Sequence, residues 1–144
     1  MNKKLSKKVF IDAFGKFPIF YSRRNLISTY FEFRGIEDNP KDLDYTLIEE
    51  LRTEEYPITE DENFTVFDTA FYCLGNELKE LNAMDTIYLA SNFLTIEQYY
   101  KIIDCYLELN NNINYNIDIE IEKIVPTYKG KLGEKTILIK GGNN

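Results

Sequence analysis

An α+β fold is predicted for this chain, with a small antiparallel sheet of N-terminal and C-terminal strands packed against about three helices from the middle. Three observations predict it. Apolar residues alternate with polar ones near both ends, the period of a half-buried strand. Apolar residues in the middle recur at helical spacing behind recognisable start signals. With 144 residues, 44% of them hydrophobic and 15% aromatic, the chain has enough apolar surface to fold as one domain over residues 1–144 and to bury roughly 68% of its unfolded surface. The Lys-rich residues 1–7 and the Gly/Asn-rich residues 141–144 are expected to be flexible tails.

Taken in order, Val9, Ile11 and Ala13 alternate with Lys8, Phe10 and Asp12, predicting a first strand that ends at Gly15. Ile27, Thr29, Phe31 and Phe33 alternate with Ser28, Tyr30, Glu32 and Arg34, predicting a second strand that ends at Gly35 and pairs with the first. Asn39 and Pro40 form a helix start, followed by Leu43, Leu47, Ile48 and Leu51 at helical spacing. Tyr56 to Thr59 is a strand or a connection, and Glu60 to Asn63 is an exposed loop. A second helix is expected from Val66 to Ala83, weakened at Gly75 by about 1 kcal/mol relative to Ala. Asp85 to Phe93 is ambiguous between helix and strand. Thr95 and Gln98 have capping-box spacing and open a third helix through Leu109, with a buried stripe of Ile96, Tyr99, Tyr100, Ile103, Tyr106 and Leu107. Ile113, Tyr115, Ile117, Ile119 and Ile121 fall on every second residue and predict a strand, which Thr136 to Lys140 joins after a turn at Gly130 to Gly133.

Charge is unevenly distributed. The net charge of −7 divides into +6 over residues 1–36, −17 over residues 37–122 and +4 over residues 123–144. Such blocks bear on association rather than on fold. The basic strands are expected to pair with the acidic helices, within one chain or between subunits of a homo-oligomer. The tyrosines are read as packing residues rather than as platforms for bases.

Missing chemistry narrows the function. There is no histidine, which excludes the commonest general base, the commonest metal ligand and every Ser-His or Cys-His nucleophile. Cys73 and Cys105 are too few for a Cys-rich zinc site and are read as core thiols. No Gly-rich phosphate loop is present, and Glu60-Asp61-Glu62 lacks the spacing of an EF-hand loop. The reading is a non-enzymatic protein without cofactor or metal. Residues 1–20 do not build a signal peptide, no apolar run approaches a membrane span, and a cytosolic protein is expected.

The acidic block supplies the candidate site. Asp42, Glu49, Glu50, Glu54, Glu55, Glu60, Asp61 and Glu62 belong to twelve acids between Glu37 and Asp68, opposed only by Lys41 and Arg52. A rigid array of carboxylates approximates duplex phosphates, which carry one charge per about 1.7 Å of axis. The expected partner is a basic, nucleic-acid-binding protein or defence complex, with neither direct nucleic-acid binding nor membrane contact.

Residues Lys8 to Phe17, reading KVFIDAFGKF, resemble the opening strand of the ArdA-type antirestriction proteins, approximately V-Y-I-A-N-L-G-K-Y. Residues Glu54 to Glu62, reading EEYPITEDE, resemble that family's E-E-Y-x-I-x-D-Y-E stretch. The likeness covers about the first half of the chain and lacks the family's G-x-L-x-G-x-W segment. It implies an acidic DNA mimic that inhibits restriction or other phage-defence enzymes, with Glu54, Glu55, Glu60, Asp61 and Glu62 on the mimicking surface. Two alternatives are an immunity protein that neutralises a nuclease toxin and a module that sequesters a small anionic ligand such as a nucleotide.

Overall fold

The computed structural model describes residues 8–37, 44–51, 53–81, 84–112 and 114–129. These form an α+β fold of two four-stranded sheets with helices packed on them. Strands β1 (Phe10–Gly15), β6 (Phe71–Cys73), β7 (Thr86–Leu89) and β8 (Thr127–Lys129) make the first sheet in the order β7-β1-β6-β8. It is mixed: β1 runs antiparallel to β6 and parallel to β7, and β6 runs parallel to β8. The second sheet is antiparallel, in the order β2-β5-β4-β3, from β2 (Pro18–Ser22), β3 (Tyr45–Ile48), β4 (Glu55–Glu60) and β5 (Phe64–Phe67). The expected single sheet is thus two, and its proposed last strand, Thr136 to Lys140 beyond the Gly130 to Gly133 turn, lies outside the described residues together with both tails.

Helix α2 (Ile96–Asn111) begins as its sequence dictates: Gln98 N–H donates to Thr95 Oγ1 and Thr95 N–H donates to Gln98 Oε1, completing the capping box. Its buried face is Ile102, Cys105 and Tyr106, whereas Ile96, Tyr100 and Leu107 are exposed. The stripe is rotated from the expected one because Tyr106 sets the helix on the first sheet. Its hydroxyl donates to Ala13 O at 2.9 Å and lies 3.3 Å from Leu74 O. Phe14, Leu74, Ile117 and Ile121 complete this core, and Phe14 stacks on Phe71 at 5.2 Å.

Four segments differ from the periodicity reading. Residues Leu26–Arg34 are a helix, α1, not a strand. Its buried Ile27 and half-buried Phe31 are four residues apart and pack against Phe64 and Val66, and Gly35 ends it in the left-handed conformation. Residues Ile117–Glu122 are also helical, α3, because Ile117 and Ile121 enter the first core together while Asp118 accepts from Asn76 N and Nδ2. The helix expected over 66–83 is instead the end of β5, strand β6 and a 3₁₀ turn, Asn76–Glu80. Tyr45 to Ile48, expected in a helix, pair with Glu55 to Ile58 in a hairpin. The proposed start of that helix, Asn39 and Pro40, lies outside the described residues.

The chain passes between the sheets at two places that one side chain ties together. Lys16, in the β1–β2 connection, donates from Nζ to Asp68 O at 3.1 Å and to Thr69 O in the β5–β6 connection. Its ammonium faces the rings of Phe71 and Phe93, 5.0 and 5.9 Å from their centroids. Burial lowers the Lys16 pKa, against the pull of Asp68.

Candidate functional site

A cleft of about 590 Å³ opens where the β3–β4 hairpin meets the start of α2. Hairpin residues Tyr45, Thr46, Ile58 and Thr59 line one side, and Phe93, Leu94, Thr95 and Gln98 line the other. The volume falls in the range of small-molecule sites. Its charge is one-sided: Asp44, Glu60 and Asp61 line it, and no Lys or Arg does so among the described residues. An entering phosphate would meet carboxylates. A neutral planar group would meet an aromatic ring, hydroxyls and an amide.

Phe93 is the unusual residue of this cleft. Its φ of 62° is the left-handed conformation, which a bulky side chain adopts at a cost of about 1–3 kcal/mol and which recurs at functional sites. Its surroundings hold it there. The ring meets Phe67 edge-on at 4.9 Å, and neighbouring Asn92 donates from Nδ2 to Lys16 O at 3.4 Å. The Phe93 side chain is still 40% exposed, so part of the ring is open to a ligand.

Glu60 belongs to the cleft wall but has an inward task. It is 6% exposed, and its carboxylate accepts from Ile27 N at 2.8 Å, from Ser28 N at 3.0 Å and from the Ser28 hydroxyl. It caps α1, whose preceding residue Asn25 makes no side-chain cap. An exposed loop was expected here, and burial removes Glu60 from any partner-facing surface.

The other proposed carboxylates do not gather into one array. Glu49, Glu50, Glu54 and Glu55 are exposed around one end of the β3–β4 hairpin, and Asp61 and Glu62 are exposed beyond the other end of β4. Glu55 and Asp61, the nearest members of the two groups, are six residues apart along β4 and just beyond it, roughly 20 Å at strand rise. Asp42 lies outside the described residues. Sequence reasoning singled out Thr95 and Gln98 as a cap and missed Phe93, Thr46 and Thr59 as cleft residues. Local sequence carries no signal of Phe93's backbone, which long-range contacts impose.

No protein-family model matches this chain, and no solved structure matches it. Among curated proteins it is similar to tRNA hydroxylation protein P2 of Bacillus subtilis (strain 168), 38% identical over 76 residues. The alignment covers 49% of this chain and 25% of that protein, so the chain spans about a quarter of the length of the relative it matches. This finding overturns the ArdA-type resemblance and the antirestriction, DNA-mimic role drawn from it, because the relative's named function is tRNA hydroxylation. The immunity-protein and anionic-ligand alternatives go with it. Among the described residues no helix is long and apolar enough to cross a membrane.

Proposed function

We propose that this chain takes part in tRNA hydroxylation and that its cleft receives a base turned out of a tRNA loop. The observation that carries this reading is the 38% identity to tRNA hydroxylation protein P2 over 76 residues. The cleft chemistry agrees with it. Enzymes that modify a base take it out of its stack, and sequence-specific RNA recognition targets loop bases that stack on aromatic side chains. Phe93 offers the stacking face, while Thr46, Thr59 and Gln98 offer hydroxyls and an amide to the edge of a base. Asp44 and Asp61 keep phosphates outside. Exposed Lys101, one turn beyond Gln98 on α2, is placed to meet a flanking phosphate.

The test is a gene deletion in the host. Its tRNA is digested to nucleosides and weighed by mass spectrometry. A nucleoside heavier than its parent by one oxygen atom should be lost, and the intact gene should restore it. Phe93→Ala should restore it poorly, because stacking on an aromatic ring is worth about 1–3 kcal/mol, roughly five- to a hundredfold in affinity. An unchanged nucleoside profile after deletion would refute the role, and full restoration by Phe93→Ala would refute the placement of the base.

A further inference from the structure

The face of the second sheet that carries α1 is wider than the helix lying on it. Four strands about 4.8 Å apart span roughly 19 Å, whereas a helix covers about 10 Å. The nine residues of α1 are only about 13.5 Å long. What α1 leaves uncovered is an apolar groove of about 580 Å³, lined by Phe20, Leu26, Leu47, Ile48, Tyr56 and Val66 among others. Phe20, Leu47 and Ile48 remain 52%, 45% and 60% exposed, which is costly for a surface with no partner. Glu49 lines the groove as well, and exposed Glu50, Glu54 and Glu55 follow it around the hairpin connection.

Beside the groove, α1 turns a second apolar stripe outward. Ile27 and Phe31 take the sheet, while Leu26, Tyr30 and Phe33 follow one another at helical spacing and stay 39%, 56% and 86% exposed. Exposed Arg23 and Arg24 precede this stripe, and exposed Arg34 ends it. One patch therefore holds an apolar helix face flanked by arginines and an apolar groove flanked by glutamates.

We propose that this patch joins two copies of the chain, the α1 of each lying in the groove of the other. Tyr30 and Phe33 fill the groove, and Arg23, Arg24 and Arg34 face the acidic hairpin end. Both halves of the contact are present on every copy and share Leu26, so the interface is self-complementary and closes as a two-fold dimer. The second helix completes the layer for which the sheet face has room. Charge decides the occupant: anionic headgroups or phosphates would meet the glutamates, whereas a second copy brings arginines to them.

Sedimentation equilibrium on the full chain tests this. The expected mass is twice the protomer's 17.0 kDa. Phe33→Asp and Leu47→Asp change exposed side chains, so far-ultraviolet circular dichroism should show the wild-type fold while dimer affinity falls at least about thirtyfold, as for interface anchors. The triple variants R23E/R24E/R34E and E50K/E54K/E55K should each be monomeric through self-repulsion and should form a heterodimer when mixed. A wild-type monomer at the highest soluble concentration would overturn the proposal. So would a dimer indifferent to Phe33→Asp, or triple variants that stay apart on mixing. No tRNA enters the measurement, so its outcome is independent of the proposed function.

Discussion

Replacing Glu60 by Ala should destabilise the fold by about 3–4 kcal/mol, although the residue sits among a dozen acids that look interchangeable in sequence. The size follows from its partners. The carboxylate is the acceptor for the backbone N–H groups of Ile27 and Ser28, and Ile27 is itself buried. A hydrogen bond to a charged group contributes about 1.5–3 kcal/mol net, and an anion at a helix N-terminus adds about 0.3–1 kcal/mol. Asn25 makes no cap that could substitute. Water entering the vacated space recovers part of the loss, which brings the sum of two bonds and the dipole down to the stated range. Glu60→Gln keeps a single carbonyl acceptor and should cost about 1–2 kcal/mol on the same basis. Urea unfolding followed by far-ultraviolet circular dichroism measures both, with Asp61→Ala and Glu62→Ala as exposed controls expected within about 0.5 kcal/mol of wild type. If Glu60→Ala unfolded within about 0.5 kcal/mol of wild type as well, the carboxylate would not be the cap of α1.

Gly75→Ala should cost about 1–3 kcal/mol, or more where the site cannot relax. A Cβ there would fall 1.8 Å from Asp118 Oδ1 and 3.0 Å from Ile117 Cγ2, so a thermal melt within 1 °C of wild type would contradict the packing of α3 on the 3₁₀ turn. Alkaline pH should destabilise the protein from within its first core. Burial pushes the Cys73 thiol from its ordinary value of 9.0 up to about 11 and raises the Tyr106 phenol well above its usual range. Both groups keep protons in the folded state that the unfolded chain releases, so their stabilisation is complete below pH 9 and is lost as pH rises towards 11. The loss is about 2–3 kcal/mol for Cys73 alone, and urea midpoints should show it. Lys16, with its pKa lowered, works in the opposite sense and softens the fall. Cys73→Ala should flatten the profile between pH 9 and 11, and an unchanged slope in that variant would rule out the thiol as the cause.

Where structure is determined within a few residues, it was legible in the sequence. The capping box of Thr95 and Gln98 closes over four residues, and both of its bonds form. The alternation from Val9 to Ala13 ends at Gly15, as β1 does. Period-two patterns failed elsewhere because residues four apart satisfy a strand and a helix alike. Ile27 and Phe31, or Ile117 and Ile121, fit either template, and distant partners decide between them. Glu60 holds the start of α1 from 32 and 33 residues away, and Asp118 reaches the 3₁₀ turn at Asn76 across 42. The break between β5 and β6 likewise depends on Lys16, more than 50 residues upstream.

The candidate site was hidden for a related reason. Charge is the loudest signal in the sequence, and it drew attention to carboxylates that are neighbours along the chain. In the fold a strand is straight, so acids that flank β4 point away from each other's ends of the hairpin, and the one that closes β4 turns inward to a helix. Chain proximity concentrated the charge only on paper. The cleft instead joins residues around positions 45, 58 and 93, which no local window contains, and its distinguishing residue is identified by a backbone angle rather than by residue type. Under the proposed function the acidic composition acquires a different meaning there: Asp44 and Asp61, which line the cleft with Phe93, would let an uncharged ring in and turn phosphates away.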